Sequence, residues 1–458
     1  MKLPKIIQTI SDVLVKENAK AIVVGGSVRD HFLKLPSKDY DVEVYGLECM
    51  EQLEEVLGKY GSVNLVGKSF GVLKFTHEGE VYDFSFPRTE SKVGEGHRGF
   101  DVEVDGSMTF EVAARRRDFT VNALGYDVEK KRFLDPFRGL DDIKEKILRH
   151  IDDETFIEDP LRVYRAVQFS ARFAYDLADE TFTLCKGMVE QGLLEALAKE
   201  RVYLEFIKLL LKSPKPSHGF TLMRKLGILR YFTEIEALID IPQSPKWHPE
   251  GDVWVHTMMC VDVMVTLFGD DEKLNLKLIF AILCHDLGKA VSTTVDDEGT
   301  IRSIGHEKTG LELTKSFMYR LTDEHDFIES ILPLVEHHLK PSQFYAAKSK
   351  APAIRRLATK VNIEELVIVA KADFLGRTTK EALEGVYHAG IWLLEQSKYL
   401  EVLHKPLDHL LQGRDLIALG LEPSPQFKKI LDVVYTLQLD GDINTKEEAI
   451  AYVREKIL

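Results

Sequence analysis

The chain has 458 residues, 45% of them hydrophobic, and a net charge of -14, which leaves room for three or four domains at about 150 residues each. Such bulk negative charge excludes a protein that coats nucleic acid nonspecifically. Cys49, Cys185, Cys260 and Cys284 form no CxxC pair, and no cleavable leader or long apolar run is present, so a reducing, cytoplasmic, non-membrane setting is expected.

Residues 21 to 26, AIVVGG, read as a strand ending in two glycines. SVRDHFLKL then has helical spacing, with Ser27 as candidate cap. Bare amides at Gly25 and Gly26, at the positive end of that helix, suit a triphosphate, and Arg29 adds a cation one turn on. In SKDYDVEVYG, strand alternation sets Asp39, Asp41 and Glu43 on one face and Val42 and Val44 on the other. Carboxylates that close repel unless a proton or cation lies between them, and Mg2+ is the usual resident. A helix is expected near 48 to 58, followed by the strand-like GVLKFTHEGEVYDFSFPR, which carries Asp83 as a third candidate carboxylate. After KVGEGHRGFDVEVDGS the apolar period changes, and from about 140 onward the chain reads as helical. Between Arg201 and Tyr231 seven Lys or Arg residues face the single acid Glu205, either a phosphate-backbone footprint or a solvated helical face. The segment DIPQSPKWHPEGD suggests a domain boundary near 245.

VVGGSVRD with KDYDVEV, RRRDFTVNALGYD (115–127), LDPFRGLDDIKEKILRHI (134–151), EDPLRVYRAVQFSARF (158–173) and KERVYLEFIKLL (199–210) resemble, in order and spacing, the five motifs of the class II tRNA nucleotidyltransferases. The resemblance covers about the first 245 residues. It implies an α+β multidomain protein with a polymerase-beta-like head (1–150) and a helical neck for base selection and RNA binding (151–245). The implied activity is CCA addition to tRNA from CTP and ATP by two-metal nucleotidyl transfer, with A-adding, CC-adding and poly(A) polymerases as alternatives. It also implies that Gly26 and Arg29 contact nucleotide and that Asp39 and Asp41 hold Mg2+. By residue type, Arg117 suits a triphosphate, while Asp118 and Asn122 suit sugar hydroxyls. Asp159 and Arg162, three apart on an expected helix, form either a protein copy of a base edge or an intrahelical salt bridge. The family pattern has arginines at the positions of Arg165 and Gln168, so Gln168 takes one charge from the expected triphosphate wall.

In the second half, VWVHTMM (His256), AILCHDLGK (His285, Asp286), IGHEKTG (His306), VEHHLKP (His337, His338) and AKADFLGR (Asp373) resemble the HD phosphohydrolase superfamily. Imidazoles with a bridging carboxylate suit Ni2+, Mn2+, Co2+ or Fe better than Mg2+, and His306 with His337 or His338 would complete a two-metal site. The resemblance implies an HD domain over 246–395, before a helical tail (396–458), with phosphatase and 2',3'-cyclic phosphodiesterase activity. The alternatives are a structural HD fold, or a hydrolase whose head only binds nucleotide or RNA.

Overall fold

The computed structural model describes residues 1–37, 39–65, 71–92, 100–104 and 106–457. Residues 93–99 of the polar stretch thus lie outside the described residues. The chain divides into two compact units, residues 1–213 with 218–228 and residues 214–217 with 229–458.

In the first unit, helix α1 (Lys5–Lys16) packs a stripe of Ile6, Ile7, Ile10 and Leu14 into the core of a seven-stranded sheet. Its strands are β1 (Lys20–Val24), β2 (Asp41–Tyr45), β3 (Ser62–Leu65), β4 (Val72–His77), β5 (Glu80–Ser85), β8 (Gly125–Asp127) and β9 (Arg132–Leu134), while β6 (Arg88–Lys92) and β7 (Phe100–Val104) pair separately. The order is β3-β4-β5-β2-β1-β8-β9, and only β2 and β5 run parallel. Alternation divides β1 and β2 cleanly: Ala21, Val23, Val42 and Val44 enter the core shared with α1 and α3 (Met50–Gly58). Ile22, Val24 and Tyr45 pack instead on Phe110, Ala113 and Ala114 of α4 (Phe110–Arg115). The acidic side chains of β2 therefore share the face that α4 covers. Helix α2 (Gly26–Leu33) follows β1 directly. Beyond the sheet come α5 (Gly139–Glu145), α6 (Asp153–Glu158), α7 (Leu161–Phe173), α8 (Asp179–Glu190) and α9 (Lys199–Lys212).

The second unit begins before the expected boundary at 245. Phe232 meets Phe317 edge-on, and Glu234 accepts hydrogen bonds from Ser316 and Arg320, so this segment packs on helix His306–Leu321. That helix joins Val253–Thr266, Glu272–Cys284, His325–His337 and Ile363–Leu375. A short hairpin, Thr293–Val295 with Ile301–Ser303, interrupts the helical pattern read from 140 onward. The tail forms a small core of its own around Leu416, Val434, Ala449 and Val453. Among the described residues no helix is long and apolar enough to cross a membrane.

Candidate functional site

Two sites emerge, one in each unit. In the first, β1 sets Val24 opposite Asp41, and β5 sets Asp83 opposite Asp41. The chain leaves β1 through Gly25, whose φ of 72° favours glycine; a Cβ there would stand 3.2 Å from Arg117 Nη1 and 3.6 Å from Asp41 Oδ2. Gly25, not Ser27, precedes the first turn of α2, and Ser27 lies within the helix and donates to Val24 O. Asp39 lies before β2, so alternation pairs Asp41 with Glu43 alone. Asp41 is accessible, yet the protein packed around its carboxyl raises it above the ordinary value; Arg117 opposes this, and Asp83, Glu43 and Asp39 add to the rise. A carboxylate destabilised by other carboxylates is what a divalent cation relieves, so this donor set fits Mg2+.

Glu43 has another task. Buried, it accepts hydrogen bonds from Arg116 (3.1 Å), Arg117 (2.9 Å) and the Tyr45 hydroxyl (2.8 Å). Burial would raise its carboxyl, but the two guanidiniums outweigh it and hold the group below the usual range. Glu43 thus fixes both arginines on a cavity of about 480 Å3 lined also by Gly25, Gly26 and Asp41.

The far wall of that cavity is α7, with Arg162, Arg165 and Gln168. Asp159 does not share its helix with Arg162: it ends α6, and Pro160 starts a new helix at Leu161. Its oxygens accept from Leu161 N (3.2 Å) and Arg201 (3.0 Å), while Arg162 donates to the carbonyls of Thr155 (2.8 Å) and Arg116 (2.6 Å). The intrahelical salt bridge is therefore absent. Asp118 and Asn122 line the same cavity and bond to each other and to its arginines. Asp118 accepts from Phe119 N, Asn122 and Arg165, and Asn122 Oδ1 accepts from Arg29. Arg29 also pairs with Asp30 and lies 4.6 Å from the Phe173 ring centroid. Gln168 is buried, and its Nε2 has no hydrogen-bond partner. From the basic segment, Arg201 and Lys208 line this cavity.

In the second unit Asp286 is the hub. Its Oδ2 lies 3.1 Å from His285 Nε2 and 3.9 Å from His256 Nε2; its Oδ1 lies 3.3 Å from His306 Nε2 and 4.0 Å from His338 Nε2. Asp373 Oδ1 is 3.1 Å from His256 Nε2. The tautomers follow from partners that can only accept. His285, His306 and His338 donate Nδ1–H to the carbonyls of Ile282, Ser303 and Val335, and His256 donates Nδ1–H to Glu250 at 2.8 Å. Four Nε2 atoms thus converge on carboxylates; burial lowers His256 and His306, but Asp373 and Glu250 around the first and Asp286 beside the second outweigh it and raise both imidazoles. Burial, with His285 and His306 nearby, pushes the His338 imidazole down to about 3, so its lone pair stays available at neutral pH.

Both Asp286 oxygens and His285 Nε2 are buried without a well-directed hydrogen bond, although the Lys289 ammonium stands 2.7 Å from Oδ2. His256, His285 and Asp373 offer donor atoms within 4.8 Å of one another, as do Asp286, His306 and His338. Orphaned lone pairs in two adjoining groups fit two transition-metal ions better than a hydrogen-bonded core. His337 does not belong to the cluster. It ends helix His325–His337 with its ring 3.8 Å from Glu336, and one residue is about 100° of helix rotation, so His338 faces Asp286 instead.

Three supporting groups escaped the sequence reading. Glu250 accepts from both His256 and His248 (2.9 Å), and these bonds outweigh burial and hold its carboxyl well below the ordinary range. Lys289, three residues after Asp286, and Arg377, four after Asp373, place cations on those acids; Arg377 reaches both Asp373 oxygens at 2.8 Å. Their helical spacings were a usable signal. Cys260 Sγ lies 3.4 Å from His256 Nε2, but burial raises the thiol and keeps it protonated.

Comparison with known proteins agrees with this division. Residues 21–149 match the poly A polymerase head domain, 174–238 the family described as "Probable RNA and SrmB- binding site of polymerase A", and 253–377 the HD domain. The multifunctional CCA protein of Methylobacillus flagellatus is 37% identical over 366 residues, 78% of this chain and 84% of the relative. Among solved structures, the CCA-adding enzyme of Bacillus stearothermophilus in complex with CTP superposes with a TM-score of 0.69 at 21% identity, covering 100% of this chain and 98% of the other. The Thermotoga maritima CCA-adding enzyme complexed with tRNA gives 0.61 at 20% identity, covering 100% and 97%; at these identities both speak for the fold. By its identity to a relative matched over most of that relative's length, the chain belongs to the family of the multifunctional CCA proteins, with a poly A polymerase head and an HD domain.

Proposed function

We propose that the first unit adds nucleotides from CTP and ATP to the 3' end of tRNA, building or repairing CCA without a nucleic-acid template. One observation carries the reading: Asp41 lines a cationic cavity that opens on the Gly25–Gly26 turn, with Asp39 and Asp83 close enough behind it to raise its carboxyl. Mg2+ ions held by these three acids would neutralise the triphosphate and activate the attacking 3' hydroxyl. The Gly26 amide, with Arg117, binds the phosphates, while the Gly25 amide, expected to be bare, donates to Leu124 O at 3.3 Å and leaves Gly25 to supply close approach only. Arg29 and Arg165 are held in the wall by Asn122 and Asp118. Asp159 accepts from the amino group of cytosine or adenine. Arg162 donates to the neighbouring ring nitrogen with the N–H groups its two carbonyl bonds leave over. Gln168 presents a neutral donor where a further cation would otherwise face the phosphates.

The second unit acts as a metal-dependent phosphohydrolase on phosphate esters, 2',3'-cyclic phosphates included. Ions of the Ni2+, Mn2+, Co2+ or Fe type, which Asp286 and the imidazoles around it would hold, would supply a water activated for attack on phosphorus. His256, His285 and Asp373 hold one position, and His306 and His338 the other. Lys289 and Arg377 fix the two carboxylates. A tRNA substrate is in keeping with action in the cytoplasm.

The test is incubation of the full chain with tRNAs ending before, within and after CCA, each NTP being supplied singly. Addition of C, C and then A in order is expected. Addition of A alone, of CC alone or of a run of A assigns one of the sister activities. No addition to any tRNA, from a folded protein that still hydrolyses phosphate esters, overturns the reading.

A further inference from the structure

Trp247 lines the same cavity as Asp286, His306 and His338, yet it is 56% exposed. The segment that carries it is tied down. Trp247 N and His248 N both donate to Ser244 O, at 3.0 and 2.9 Å, and Gln243 donates to the Asp252 carbonyl at 3.1 Å. Gln243 also accepts from Lys289 at 2.7 Å, and Lys289 stands beside Asp286. His248, the next residue, shares Glu250 with His256. The backbone that carries the indole is thus held in register with the carboxylate hub from two sides. Lys246 Nζ lies over the ring, 4.8 Å from its centroid.

Size decides what can reach that ring. The cavity holds about 230 Å3, less than the roughly 300 to 1,000 Å3 of pockets that enclose a whole small ligand. A phosphate and its ribose fit inside, so an attached base must lie at the mouth, where the indole stands. Every nucleobase offers a π face to an aromatic ring, whatever its sequence identity. A phosphate ester without a base offers nothing there.

We propose that Trp247 is a base-stacking platform through which the second unit selects phosphate esters of nucleosides over esters that lack a base. The cleavage part rests on the phosphohydrolase reading; the binding part does not. The probes are adenosine 2',3'-cyclic phosphate and the base-free glycerol 1,2-cyclic phosphate, each with the metal-loaded full chain. Adenosine 2',3'-cyclic phosphate is expected to quench tryptophan fluorescence in the parent, glycerol 1,2-cyclic phosphate not, and Trp247→Ala to abolish the quench. The ratio of kcat/KM for the nucleoside over the glycerol ester is expected to fall roughly 5- to 150-fold in Trp247→Ala, mostly through KM, the range one base–aromatic stack carries. Trp247→Phe is expected to keep most of the preference. An unchanged ratio, or a nucleotide-induced quench that survives in Trp247→Ala, overturns the proposal. If the parent cleaves neither ester, the hydrolase reading falls and the quench alone decides: present and Trp247-dependent, it supports the platform; absent, it overturns it. A parallel arm with a short RNA ending in a 2',3'-cyclic phosphate separates a polynucleotide end from a free nucleotide, and Trp247 dependence in either arm supports the proposal.

Discussion

Replacing Glu250 by glutamine keeps the side chain's shape and removes its charge. In the parent, Oε1 accepts from Nδ1 of His248 (2.9 Å) and of His256 (2.8 Å), and Oε2 accepts from Thr378 N (3.1 Å). A carboxamide has one acceptor oxygen. If that oxygen takes the Oε1 position, the amide nitrogen meets Thr378 N–H, donor against donor. If it takes the Oε2 position, the amide nitrogen meets both Nδ1 atoms, and the imidazoles must move their protons to Nε2, which closes the His256 lone pair. The first orientation leaves a buried donor unmatched, at about 1–3 kcal/mol; the second keeps the donors matched but takes the His256 Nε2 lone pair from a metal, its proton going to Asp373. Loss of such a carboxylate support behind a ligating histidine costs about 10- to 100-fold in metal affinity. Glu250→Gln should therefore raise the dissociation constant for Mn2+ or Ni2+ by about that factor in calorimetric titration, and lower stability by about 1–3 kcal/mol in urea. Nucleotide addition should persist. Metal affinity within twofold of the parent, in a variant that has lost the stability, would refute the reasoning and leave Glu250 a loop anchor.

Asp41→Asn should abolish nucleotide addition while phosphate-ester hydrolysis continues, because the two donor sets lie in different units; both activities are read on one preparation. Asp159→Ala and Arg162→Ala should each raise UMP and GMP incorporation relative to CMP and AMP. Arg201→Ala, which frees an Asp159 oxygen, should loosen selection less, by about 1 kcal/mol or about fivefold, in single-NTP competition. Burial raises the Asp118 carboxyl, but Arg165 and Asn122 outweigh it and hold it below 3.8. Its stabilisation is therefore fully present above about pH 4 and is lost as pH falls through the lower folded value. Asp118→Asn should lower the unfolding midpoint at pH 7 and flatten its decline below about pH 4, measured on parent and variant together.

What could be read from the sequence follows the range of the interactions. The glycine turn after β1 and the place of Asp41 on β2 are local, and strand alternation suffices to find them, whereas Asp39 precedes the strand and is near Asp41 only through the loop. Glu43 was visible as a third acid, but its partners Arg116 and Arg117 lie 73 and 74 residues away, so its supporting task was hidden. Asp159 was set on one helix with Arg162 because spacing alone does not show that Pro160 ends one helix and begins another. His337 and His338 differ by a single step around the helix, and only packing decides which one turns inward. Glu250, six residues before His256, belongs to no periodic pattern; the Gly251–Asp252 turn that brings it back is a tertiary feature. Asp83 was recognisable by type, while its place beside Asp41 depends on the one parallel strand pair in the sheet.

Around the nucleotide cavity five arginines already have carboxylate partners: Arg29 on Asp30, Arg116 and Arg117 on Glu43, Arg165 on Asp118, Arg201 on Asp159. A loose arginine frozen by an arriving ligand gives up about 0.5–1.5 kcal/mol of rotamer freedom, whereas here that ordering is complete once the chain has folded. An enzyme that must discharge pyrophosphate and admit a fresh nucleotide several times on one RNA end thus offers each newcomer the same rigid wall. The entropy of assembling that wall is charged once per folding event rather than once per addition.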